Sequence, residues 1–417
     1  MSFSALLVIT RWTSGSTILI ALESIITFGL LGGLGYALGT MLAFLLFAFL
    51  AERMSKEWSA YGNWTEYWRV KLKPLGFIIV LLLGLFTSSG VLFMQEVAGA
   101  MVFQAFSGVT AATGSALVFL LGIFVFSLPK SPWSRKVGLI QIALLFLVTI
   151  FLPINLFVRE GVEHVYNGVR LYHPYLLMTN YDRVGYFVLA FVMITFSKLL
   201  LDQPVWYTVM GLERRKVGPA LGLAGLVGAV LLLAFSSLVL GVIYSGGFYD
   251  LASILKDLLR KELAILLNLF VLSLLGAIVY SFVAELRSLT KIWQEFVFKW
   301  DSSNHSGRNP YLGRYLAILQ SGVIFVLSIF LKPSLLQCLF VLGIVNAAAL
   351  VPLLAVVLQK EKSGGLILGS ISVGVLAGYL SSPAAGYVNA VFIAALVSAI
   401  PTMMAVMFRR YRMRKLH

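Results

Sequence analysis

The chain has 417 residues, of which 60% are hydrophobic and 12% charged. A water-soluble domain of this size has no use for so much apolar surface, so the composition excludes one and makes the lipid bilayer the first partner. The net charge of +15 does not mark a nucleic-acid binder, because Lys and Arg sit in short loops between apolar runs, the pattern of a membrane protein.

The N-terminal "MSFSALLVITRW" lacks a basic segment and a small-residue cleavage site, and does not read as a cleaved signal. About twelve spans follow, each near the 20 residues that cross a bilayer core of roughly 30 Å. Hydropathy places them near 13–33, 35–51, 75–104, 109–128, 137–158, 183–204, 218–245, 263–285, 312–331, 335–358, 364–381 and 387–407. The first two are close to fused by the glycine-rich "GLLGGLGYALG". With the N-terminus in the cytoplasm, most of the 32 Lys and Arg residues fall on the cytoplasmic side. That bias gives an even number of spans across the cell (plasma) membrane, with both ends in the cytoplasm. The sequon at Asn63 then lies on the cytoplasmic side and is idle. Two external loops, near 159–182 and 246–262, are longer than the rest. The second, "GGFYDLASILKDLLRKE", has the spacing of an amphipathic helix.

Ionisable groups inside spans are costly, and four occur: Glu23, Glu96, Lys198 and Glu285. Lys198 and Glu285 are near enough to span ends to reach the interface by snorkelling. Glu96 lies beside Ala98, Gly99 and Ala100, a surface for close helix packing, where a carboxyl can bond a neighbouring helix. Glu23 is about ten residues from either end of its span, and Ser24, Thr27, Gly29, Gly32 and Gly33 around it can free backbone carbonyls or pack a helix. Ala277, Ser281 and Glu285, spaced i, i+4, i+8, share one helical face; oxygen groups in such a row suit a hard cation. The one cysteine, Cys338, allows neither a disulfide nor a Cys cluster within one chain. The four histidines fall in loops or at the end, so no metal cluster is expected beyond Na⁺.

Several stretches together resemble the sodium/solute symporter family. "LLLDQPVWYTVMGLERRKVGPAL" is similar to the end of that family's sixth core helix, with Asp202, Gln203 and Pro204 in place and Tyr207 and Thr208 where the family has Gln-Arg. "GNWTEYWRVKLKP" resembles the loop after the second core helix, "FMQEVAGAMVFQAFSG" the third, and "GAIVYSFVAELRSLTKIWQEF" the eighth, which carries a sodium site. The resemblance implies an all-α membrane protein of the leucine-transporter type. Two inverted five-helix repeats, 13–160 and 183–358, are expected, with two additional helices at 364–407 and broken first and sixth helices around a central site. Asp202 and Gln203 would form the inner end of a broken helix. Ser281, Ala277 and backbone around Ala21 and Ser24 would bind a cation. Lys198, Glu23, Asp202, Gln203 and Glu285 would serve coupling or gating.

Departures from the family pattern narrow the reading. Tyr280 replaces a second hydroxyl beside Ser281. Val137, Gly138 and Gln141 stand at the start of the fifth core helix, where the family has an acidic residue. The second core helix, "TMLAFLLFAFL", carries no carboxylate, which argues against a sugar. Glu285 is then the group to take over the inner acidic role, and the Lys198 amine could stand in for a sodium ion if it reached Ser281.

The function expected is a secondary active transporter moving a small organic solute by alternating access, coupled to Na⁺ or H⁺ and using no other cofactor. A non-transporting relative that senses or binds a membrane partner protein is the second class. An integral membrane enzyme is the third, and no catalytic constellation supports it.

Overall fold

In lipid every backbone N–H and C=O has to be bonded within its own segment or a closed barrel, so apolar runs of this length become helices. The computed structural model describes residues 3–58, 63–128, 133–178, 181–244, 246, 251–261, 264–300, 311–331, 333–359 and 365–414. These residues form seventeen α-helices and no strand. In chain order they are α1 (Phe3–Trp12), α2 (Gly15–Phe28), α3 (Leu30–Trp58), α4 (Trp64–Lys71), α5 (Pro74–Ser107), α6 (Ala111–Ser127), α7 (Trp133–Glu160), α8 (Val162–Tyr172), α9 (Tyr181–Leu201), α10 (Gln203–Met210), α11 (Arg214–Ile243), α12 (Leu251–Lys261), α13 (Ala264–Trp300), α14 (Leu312–Phe330), α15 (Leu335–Leu358), α16 (Gly365–Ala385) and α17 (Tyr387–Arg414).

Ten of these are long and apolar enough to cross a membrane by themselves: α3, α5, α7, α9, α11, α13, α14, α15, α16 and α17. The 17-residue α6 and the interrupted pair α1–α2 bring the crossings to twelve. The first pair starts earlier than hydropathy places it. The segment before residue 13 is a helix of its own, and Thr13 and Ser14 separate it from α2. The glycine-rich stretch does not fuse the first two spans either. Gly29, at φ 75°, makes a sharp turn between α2 and α3. Its Cα lies so close to the Leu176 carbonyl that an added Cβ would stand 2.7 Å from that oxygen. Two of the connecting segments are helical: α4 after α3, and α8 after α7. The amphipathic α12 lies where its spacing puts it.

The two halves interlock through equivalent helices. α3 packs along α11, α5 along α13, and α6 against α14. α16 and α17 pair with each other and lie against α15. α13, at 37 residues, is about 55 Å long and outruns a bilayer core of roughly 30 Å. Its extension carries Arg287, Lys291 and Glu295. Together with α4, α10 and the start of α11 it makes a face rich in Lys and Arg, called the basic face below. The Gly29 turn, α8, α12 and the start of α15 lie at the opposite face.

Candidate functional site

Both breaks are built from capping chemistry. At the first, Ser14 caps α2 by accepting from Thr17 N–H, and Thr17 Oγ1 donates back to the carbonyls of Trp12 and Ser14. Gln95 of α5 pins the start of α2 from the side. Its Nε2 donates to Ser16 Oγ at 2.7 Å and Ser14 Oγ at 3.1 Å, and its Oε1 accepts from Ser16 N–H at 3.3 Å. At the second break Asp202 caps α10, accepting from Val205 N–H at 3.1 Å. Ending α9 there leaves its last carbonyls without helical partners. Two indoles replace them: Trp206 Nε1 donates to Leu199 O at 3.1 Å and Trp64 Nε1 to Leu200 O at 3.4 Å. Trp64, Tyr67, Trp68 and Trp206 are fully buried under this break.

Four charges gather where the breaks meet α13. Arg11, at the end of α1, is ion-paired with Glu285 and stands 3.7 Å from Asp202. A cation at a helix C-terminus also suits the helix dipole. Gln203 accepts from Ser288 Oγ of α13 at 3.3 Å. The Lys198 Nζ lies 4.8 Å from the centroid of the Trp12 ring. Two cations therefore face two carboxylates in a buried seam joining α1, α9, α10 and α13.

Towards the opposite face lies a small cavity of about 30 Å³. It is walled by Trp12, Thr17 and Ile20 from the first helix, Tyr36 from α3, Phe86, Thr87 and Met94 from α5, Phe191, Thr195 and Lys198 from α9, and Leu339 and Asn346 from α15. That volume holds about two waters, less than a bound organic molecule needs in this state. Beyond the cavity, Glu23 accepts from Leu336 N–H at 2.9 Å and so caps the start of α15.

No family model matches the sequence, and no curated protein matches it. Solved structures do match in three dimensions. A Na⁺-coupled sialic acid symporter, in a substrate-bound outward-open state described as revealing a novel Na⁺ site, superposes with a TM-score of 0.72 at 13% identity, over 97% of this chain and 89% of that one. Mhp1, a nucleobase-cation-symport-1 family transporter in a closed conformation with bromovinylhydantoin, gives 0.58 at 12% identity, over 97% and 92%. MhsT in complex with L-phenylalanine gives 0.55 at 13% identity, over 97% of each chain. The chain has the leucine-transporter-type fold. At such identities the likeness speaks for the fold alone.

Within the leucine-transporter-type fold, the structure brings some of the expected site residues together and separates others. Lys198, Asp202, Gln203 and Glu285 converge at the second break. Glu23 does not join them: it is half-buried and tied to α15. Ser281 and Ala277 are buried on α13, with 2% and 3% of their surfaces exposed. Ala21 and Ser24 lie elsewhere. Gly15, at the start of α2, packs against Ile278, and the helices run antiparallel. Ala21 is six residues further up α2, about 9 Å away from that level and away from Ser281. Its carbonyl is not freed either, since α2 is unbroken and Ser24 Oγ donates to Ala21 O at 2.7 Å. The expected set of Ala21, Ser24, Ala277 and Ser281 is therefore not assembled, and these residues do not fit a Na⁺ ion as one site. Among the described residues no group of three or more His, Cys, Asp or Glu side chains is placed to hold a metal. Glu96, on α5, is fully buried and its carboxyl has no hydrogen-bond partner among the described residues, so the bond to a neighbouring helix is not made.

Sequence reasoning missed Arg11 and Gln95. Arg11 fell in the segment ahead of the first expected span. The run "RWTSGST" carried the signal, a Ser/Thr/Gly cluster opening an apolar helix.

Proposed function

We propose that this protein is a secondary active transporter that moves a small organic solute across the cell membrane by alternating access, with the basic face and both termini in the cytoplasm. One observation carries the reading: two broken helices meet at one small cavity, with a tie between helices on either side of it. Arg11 with Glu285 and Asp202 closes the basic side. Glu23 with the start of α15 closes the other. Releasing one tie while the other holds opens the cavity to one face at a time, which is the requirement of alternating access.

The same seam supports H⁺ rather than Na⁺ as the coupling ion. Arg11 supplies a fixed positive charge between α1 and α13, and the residues expected around a sodium ion are dispersed. When Arg11 leaves, Glu285 and Asp202 lose their cation in a water-poor seam, and a proton on one of them restores neutrality. Uptake into proteoliposomes tests this reading. Accumulation should follow an imposed pH gradient and be indifferent to replacement of Na⁺ by choline. Accumulation that needs Na⁺ removes the H⁺ assignment. Solute binding without accumulation under any gradient leaves the sensor or partner-binding reading in its place.

A further inference from the structure

The cavity wall presents donors and no carboxylate. Among the described residues Lys198 makes no ion pair or hydrogen bond; its Nζ meets only the Trp12 ring. Arg11, by contrast, is committed to Glu285 and Asp202. Asp202 and Glu285 stand beyond ion-pair distance of Lys198 and are both engaged by Arg11, so its ammonium keeps its donors for a ligand, and a ring face does not replace its hydration. Thr195 lies one helical turn before Lys198 on the same face of α9, is 2% exposed, and lends its hydroxyl to no partner among the described residues. Across the cavity, Asn346 accepts from Thr87 Oγ1 at 3.0 Å, which turns its oxygen towards Thr87 and leaves its amide N–H groups to the cavity. An ammonium, a hydroxyl and an amide N–H₂ make a site for a group that only accepts and carries negative charge. The start of α2, the other natural place for an anion, is filled by Gln95. Around these donors the walls are apolar and aromatic: Trp12, Tyr36, Phe86 and Phe191.

We infer that the solute is a small monocarboxylate with an apolar body, its carboxylate held by Lys198 and Thr195 and its body lying against the aromatic wall. One cation and a small apolar chamber select a single negative charge over a phosphate or a dicarboxylate. The inference rests on the transport reading for its meaning and on binding alone for its test.

The full-length protein in detergent is assayed by thermal stabilisation with butyrate, benzoate and phenylacetate, each beside its amide and the amine of the same shape. At least one acid is expected to stabilise the protein while its amide and amine do not. Lys198→Met should weaken that acid by at least about 30-fold, the order expected when one partner of a buried charge pair is truncated. Lys198→Arg should keep most of the affinity. Thr195→Val, a change with little risk to folding, should weaken it by about tenfold, the loss of one hydrogen bond to a charged group. Equal binding of amide or amine, no binding by any of the three acids, or an acid affinity indifferent to Lys198→Met and Thr195→Val overturns the inference. An acid that binds in this way but never accumulates in proteoliposomes leaves the inference standing and removes the transport reading. A neutral solute that accumulates without competition from any of the acids does the reverse.

Discussion

Arg11 and Glu285 are 274 residues apart in sequence and form an ion pair across the seam between α1 and α13. Both side chains are nearly inaccessible, at 9% and 5% exposure. Truncating one partner leaves the other charge buried alone, which costs about 3–5 kcal/mol. Replacing both with apolar side chains of similar size removes most of that penalty and leaves Asp202 facing Lys198. Arg11→Met and Glu285→Met should each lower the thermal midpoint, and the double variant should recover most of the loss. Additive losses in this cycle would show that the two side chains do not act as a pair.

Gln95 ties the start of α2 to α5 with three hydrogen bonds. Gln95→Leu keeps the bulk and leaves Ser16 N–H buried without its acceptor, at about 1–3 kcal/mol. Hydrogen exchange across Gly15–Leu19 should accelerate while exchange in α15 stays unchanged. Uniform acceleration throughout the protein would mean that Gln95 supports the whole fold and not the break.

Much of this arrangement was legible before any coordinates. Outside the first pair, the spans lie close to where hydropathy puts them, because a stretch of about twenty apolar residues in lipid has few alternatives to a helix. Asp202, Gln203 and Pro204 mark the second break through chemistry written in the sequence, a capping carboxylate followed by proline. Other features depend on partners distant in the chain. Glu23 looks like an ion ligand until Leu336, 313 residues later, places a helix start against it. Arg11 looks like a terminal basic residue until α13 brings Glu285 to it. The glycines after Glu23 also mislead. They serve a turn and close helix contacts, whereas the break itself uses Ser14 and Gly15.

Glu96 offers a different kind of check. Its carboxyl is fully buried, and neither oxygen has a partner among the described residues. Methionine there fills nearly the same volume without the desolvation cost of an unpaired polar group, about 1–3 kcal/mol. Glu96→Met should therefore raise the thermal midpoint and leave uptake intact. A stabilised protein that no longer accumulates solute would make Glu96 part of the transport cycle.

The central claim is that the cavity opens to one face at a time, and its most direct measurement needs no known solute. Cys338, the only cysteine in the chain, is buried, so Cys338→Ser gives a clean background for a single reporter. Ile20 is 1% exposed and lines the cavity, which makes Ile20→Cys that reporter. A membrane-impermeant thiol reagent is then applied to oriented vesicles from each side in turn. With Arg11→Gln, the reporter should react from the basic face and stay protected from the other. With Glu23→Ala, the sides should reverse. Reaction from both faces in one variant, or the same side in both, would contradict alternating access.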